Sequence, residues 1–166
     1  MKTNYFNGKN KGTVKLIKYI FLFLIINFGG LTVGSWLMNN GPQSAWYQNL
    51  NLAPWTPPGW VFGAAWTTIM ICFSIYMAYL AKTVLDKKLL ILFTIQFILN
   101  VSWNYIFFSQ HLTLLGLGCL IMLTLVIVKF LWDYKSILKT KSLLIIPYFL
   151  WLIVAISLNA YIVLKN

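Results

Sequence analysis

Five stretches of this chain, at roughly 19–38, 58–81, 89–108, 112–131 and 143–164, are overwhelmingly apolar and almost free of charge. Each has about the 20 residues that an α-helix needs to cross the hydrocarbon core of a bilayer, where only a structure that bonds its own backbone is tolerated. The remainder could not cover so much apolar surface in water. Only 9% of the residues are charged and neither Arg nor Glu occurs, against about a quarter charged in a soluble domain. The short connectors leave no room for a second domain. The expected fold is an all-α membrane protein, a single bundle of five transmembrane helices over residues 1–166, with 39–57 as a lid loop after the first helix.

The first stretch has a competing interpretation, because Lys2, Lys9, Lys11, Lys15 and Lys18 followed by YIFLFLII also suit a secretory signal. The apolar run continues past Gly30 to Met38 without a small-residue cleavage pattern, so it is read as a retained helix. Gly30 and Gly34 form a GxxxG that lets two helices approach closely. Packing within the bundle is the expected use; the same spacing would also serve a homodimer seam.

Lysine placement orients the bundle. The N-terminal tail and the connectors around 82–88 and 129–141 hold twelve of the thirteen lysines, and only Lys165 falls on the other side. Positively charged connectors stay in the cytoplasm, so in a cell membrane the N-terminus is expected inside, with the C-terminus and the lid outside. A net charge of +11 does not point to nucleic acid, since these lysines flank spanning helices instead of forming a folded basic face. They serve as topology anchors attracted to lipid headgroups.

Inventory argues against conventional catalysis and metal chemistry. The acids are Asp86 and Asp133, both beside lysines, and the single imidazole is His111 at the opposite rim. Cys72 and Cys119 lie in different spans without a CxxC or a second soft ligand, so they are read as small apolar packers, and no metal or cofactor is expected.

What remains within the membrane is a set of neutral polar and aromatic side chains. Gln96, Asn100, Trp103, Asn104 and Phe107 recur at spacings of three and four and share one helix face. Amides in hydrocarbon need partners, so this face points inward, either as glue between helices or as a cavity lining. Pro147, Trp151, Ala155 and Asn159 repeat every four residues, and the large ring one turn before a methyl makes a step where something flat could lie. The second span is expected to begin with Thr56 as N-cap and Pro57 in its first turn, and to present Phe62, Trp66 and Phe73 along one side. The segment NNGPQSAWYQNLNLAPWTPPGW carries no charge, and its Trp and Tyr suit the membrane interface while its prolines stiffen it. It reads as a structured lid.

WYQNLNLAPWTPPGWVFGAAW, QFILNVSWNYIFF and PYFLWLIVAISLN, with Asn166 closing the chain, resemble the blocks that mark the TspO/MBR family of tryptophan-rich sensory and translocator proteins, or peripheral-type benzodiazepine receptors. The resemblance runs from Trp46 onward. It implies a five-helix bundle whose first loop closes over a pocket for porphyrins, flat apolar molecules or synthetic isoquinoline and benzodiazepine ligands. Matched position by position, it implies ligand-binding roles for Tyr47, Trp66, Asn100, Trp151 and Ala155, beside Phe62, Trp103 and Asn104 from the stripes. It also implies that Trp66 and Trp151 would take part if the porphyrin is broken down by light or oxidation. Three departures stand out. Leu50 is followed by NLAPW, without the lysine common in the family's lid; Asn104 stands where serine is frequent; and the tyrosine often found after the second-span tryptophan is absent. A sterol pattern is traced only loosely through Leu158, Tyr161 and Lys165, and Lys165 is better read as an interfacial anchor.

Overall fold

A computed structural model describes residues 2–166, with side chains from Gly12 onward, so the side chains of Lys2, Lys9 and Lys11 lie outside the described residues. The spanning helices are α1 (Lys2–Leu37), α3 (Gly59–Thr83), α4 (Lys87–Asn104), α5 (Thr113–Leu138) and α6 (Ile146–Lys165), with a short α2 (Ala45–Gln48) in the lid. The chain is an all-α membrane bundle. α5 and α6 follow one another through a 3₁₀ corner at Lys139–Ile145 and pack side by side, which makes them two spans and not one. The corner is set by Lys139, whose φ of +52° breaks the helix, and by Pro147, whose missing N–H suits the first turn of α6.

Two helices outrun the expected spans because hydropathy marks the hydrocarbon core and not the helix end. α1 has 36 residues, about 54 Å at 1.5 Å per residue. α5 continues to Leu138 through a polar turn in which Asp133 pairs with Lys129 at 3.0 Å and with Lys88 of α4 at 2.9 Å. Asp86 caps α4 by accepting from the Leu89 N–H at 2.7 Å. α3 corrects the expectation for its start. Thr56 is not its cap: Pro58 occupies that position without a side-chain bond, and the helix begins at Gly59. The residue before a proline is disfavoured in helical geometry, and Thr56 and Pro57 each precede one, so neither enters the helix.

α4 ends differently from a plain span. Tyr105–Ser109 form a π-turn, with Gln110 N–H bonded to Tyr105 O at 3.0 Å. The adjacent Phe107 and Phe108 of this turn are both buried.

The core sits toward the lysine-bearing end. Phe73, Tyr76, Phe130 and Tyr148 are buried; Phe73 stacks on Tyr76 and meets Tyr148 and Phe130 edge to face at 5.4 Å and 5.8 Å. Phe73 is thus core, unlike Phe62 and Trp66 on the same helix. Asn27 ties α1 to α3 by donating to Ser74 Oγ at 2.8 Å. The glycine pair packs within the bundle: a Cβ on Gly30 would stand 2.6 Å from the Phe97 ring, and one on Gly34 would stand 2.7 Å from Asn104 Nδ2. Trp36 and Trp60 at one end and Trp132 at the other are the large exposed rings expected at the two membrane interfaces.

Candidate functional site

At the end opposite the lysine-rich connectors, residues 38–58 fold over the bundle as a built lid. Asn39 and Gly41 take positive φ, Pro42 opens a 3₁₀ turn, and Ser44 caps α2 by accepting from Tyr47 N at 3.2 Å. Trp46 stacks on His111 at 4.1 Å, and Tyr47 leans on Phe108 at 5.4 Å. Burial raises the Tyr47 phenol above its ordinary pKa, so the lid holds it neutral. The far end of the lid is fastened to α6. Trp55 Nε1 donates to Ser157 Oγ at 3.2 Å, Asn51 N–H donates to Asn166 Oδ1 at 2.9 Å, and Asn51 Nδ2 donates to Lys165 O at 3.3 Å.

Beneath the lid lies a cavity of about 510 Å³, within the range of small-molecule sites. Tyr47 of the lid, Phe62 and Trp66 of α3, Asn100, Trp103 and Asn104 of α4, and Trp151 and Ala155 of α6 all line it. All eight residues picked out from the sequence therefore meet in one space. Met38, Pro42, Leu52, Thr56 and Pro57 roof it, and Phe107, Phe108, Leu158, Asn159 and Ile162 complete its lid-side end. Trp151 meets Phe62 edge to face at 5.3 Å, and Trp66 meets Tyr148 at 6.2 Å. These contacts leave Ala155 as the small step one turn beyond Trp151.

The amide stripe of α4 divides between the two uses open to it. Gln96 does not line the cavity; its Nε2 donates to Tyr148 Oη at 2.9 Å, which makes it helix glue. Tyr148 in turn donates to Asn100 Oδ1 at 2.9 Å. Asn100 therefore belongs to the glue through its oxygen and to the cavity through its position on the wall. Asn104 Nδ2 is held by the Asn100 carbonyl at 3.3 Å. Sequence spacing could have found Asn159, four residues beyond Ala155, as a lining residue. It could equally have found Phe108, four residues beyond Asn104 on the inward stripe of α4.

Among the described residues that line the cavity, the Tyr47 phenol is the one ionisable group. The arrangement offers aromatic faces and neutral hydrogen-bonding groups, which suits holding and orienting a molecule and not proton transfer.

The chain matches the sequence profile of the TspO/MBR family over residues 21–164. It is 32% identical to the tryptophan-rich protein TspO of Chlorobaculum tepidum over 95% of this chain and 99% of that one. It is 33% identical to the tryptophan-rich protein TspO of Archaeoglobus fulgidus, over 92% and 97% of the two chains. The similarity reaches the human translocator protein at 29% identity over 78% of this chain and 79% of the other. A five-helix bundle, a tryptophan-bearing cavity beneath the first loop and a family match across nearly the whole length agree: this chain belongs to the TspO/MBR family.

Proposed function

We propose that this protein is a receptor of sensory or tetrapyrrole-handling type, which holds a porphyrin or similarly flat apolar molecule in the cavity under the lid. The observation that carries this reading is the convergence of Tyr47, Phe62, Trp66, Asn100, Trp103, Asn104, Trp151 and Ala155 on one cavity. Burial of a flat apolar ring against indole faces would supply affinity, and the amides would supply orientation. Names borne by relatives, such as the tryptophan-rich sensory protein of Cereibacter sphaeroides, fit a sensory role. In this reading the protein lies in the cell membrane with its N-terminus in the cytoplasm and the lid outside, as the lysine distribution argues.

The test is a protoporphyrin titration of the purified protein, followed by quenching of tryptophan fluorescence. Saturable binding that weakens in Trp66→Phe and Asn100→Ala is expected. Unaltered binding by both folded variants would remove the site. A second reading, porphyrin breakdown, is favoured by Trp66 and Trp151 both lining the one cavity. Illuminating the complex in air separates the two: a receptor leaves the porphyrin spectrum as it does free in detergent, and an enzyme bleaches it faster, with Trp66 and Trp151 required.

A further inference from the structure

Five residues that line the cavity are also exposed at the protein surface: Ser35 of α1, Pro42 of the lid, and Gly59, Gly63 and Thr67 of α3. The lining residues of α4, α5 and α6 are buried or half-buried. A residue that faces both the cavity and the outside marks where one opens to the other, so the rim of the cavity runs along the seam between α1 and α3.

The helix faces agree with this. Asn27 of α1 donates to Ser74 of α3 at 2.8 Å and both are buried, so the seam is clasped at that level. From Asn27 toward the lid, Leu31 and Ser35 follow at intervals of four on the same face of α1. From Ser74, Thr67 and Gly63 follow at intervals of seven and four on the same face of α3. Lidward of the clasp these two faces line the cavity, and a Cβ on Gly59 or Gly63 would meet nothing within 4 Å. The neighbouring seams carry contacts instead: α1 meets α4 where Gly34 approaches Asn104, and α3 meets α6 where Phe62 packs against Trp151. The slot also lies at membrane depth. Trp36 and Trp60, 79% and 75% exposed, mark the interface. Thr67 stands seven residues beyond Trp60 on α3, about 10 Å farther into the bilayer.

We propose that the ligand enters sideways from the lid-side leaflet, edge-on through the slot between Leu31 and Ser35 of α1 and Gly63 and Thr67 of α3. The lid meanwhile shields the cavity from water. Among the described residues no Lys, His, Asp or Glu lines the cavity or its rim, so a strongly charged molecule would lose its hydration in the slot without a counter-ion. The portal therefore selects molecules that dissolve in the bilayer. It makes Gly63 a determinant of how fast a ligand is taken up, and not of how tightly it is held. The portal rests on the flat-ligand reading of the cavity and adds to it the route and the solubility class of the ligand.

The test is kinetic, with the protein in phospholipid nanodiscs and association and dissociation of protoporphyrin IX followed by tryptophan quenching. A side chain standing in the passage raises the barrier equally from both directions. Gly63→Phe and Ser35→Phe are therefore each expected to slow both rates about tenfold while Kd stays within about twofold of wild type. Gly63→Ala, which narrows the slot little, should behave as wild type. Uroporphyrin, whose carboxylates keep it in water, should bind to wild type more slowly than protoporphyrin or not at all. Wild-type rates in either folded Phe variant, a weakened Kd with the association rate unchanged, or uroporphyrin binding as fast as protoporphyrin would each overturn the portal and leave the binding site in place. If one Phe variant does not fold, the other decides; if neither folds, the seam is a packing contact and the portal is overturned. If protoporphyrin does not bind to wild type, the flat-ligand reading itself fails and the portal falls with it.

Discussion

The Tyr148 hydroxyl donates to Asn100 Oδ1 at 2.9 Å while accepting from Gln96 Nε2 at the same distance, so one phenol on α6 holds two amides of α4. All three side chains are buried. Tyr148→Phe leaves an amide donor and an amide acceptor stranded. The expected loss is about 1–2 kcal/mol, between the transmembrane average for such bonds and the cost of an unsatisfied buried group. Denaturant or thermal unfolding in a fixed detergent measures it. An unchanged stability would remove this network from the bundle's support.

Ala155 faces the cavity one turn from the Trp151 indole. Leucine there would enter empty space in the ligand-free protein, so the melting temperature of Ala155→Leu should stay close to wild type while porphyrin affinity falls about tenfold or more. Close-packed positions behave in the opposite way, losing about 1–3 kcal/mol when overfilled. A large stability loss with affinity intact would make the step a helix contact.

Gly30 supplies the comparison. A methyl at this position would stand 2.6 Å from the Phe97 ring, so the ring or the helix must shift to admit it. Gly30→Ala is expected to destabilise the bundle by about 1–3 kcal/mol with little effect on ligand preference. Chemical unfolding of wild type and variant side by side decides it.

The lid is fastened by the Asn51 and Asn166 side chains and by the Trp55 to Ser157 bond. Replacing Asn166 with Ala should speed hydrogen exchange across 45–56 and raise the porphyrin off-rate several-fold, as expected for losing bonds worth about 1 kcal/mol each. Exchange rates equal to wild type would mean that the aromatic contacts alone hold the lid. Because burial raises the Tyr47 phenol, the docked lid favours its neutral form. Docking should therefore be insensitive to pH through the neutral range and weaken only as pH rises past the ordinary tyrosine value of about 10.

Lysine asymmetry makes a prediction about sidedness. A reporter active only in the cytoplasm should work when fused after Lys87 and fail when fused after Asn166. Activity at the second position would reverse the orientation and turn the lid toward the cytoplasm.

Helix number, the existence of a lid and the inward stripes could all be read from the sequence. A bilayer imposes a length on every span, and an α-helix fixes which residues share a face. Trp66, Asn100, Trp151 and Ala155 were legible on that basis, and the family blocks agreed with them. Periodicity gives a direction around one helix but says nothing about what stands opposite. Gln96 and Asn100 share a stripe, yet Tyr148 turns the first into glue and leaves the second on the cavity wall. Phe62 and Phe73 were expected along one side of the same helix, but one lines the cavity and the other is sealed against Phe130 and Tyr148. The start of α3 depended on two local prolines, a signal that lay in the sequence. The π-turn at the end of α4, and the close approach of Gly116 to Phe107 and Asn159, depend on contacts between α4, α5 and α6. Such contacts are set by the register of one helix against another, and only the packed bundle decides that register.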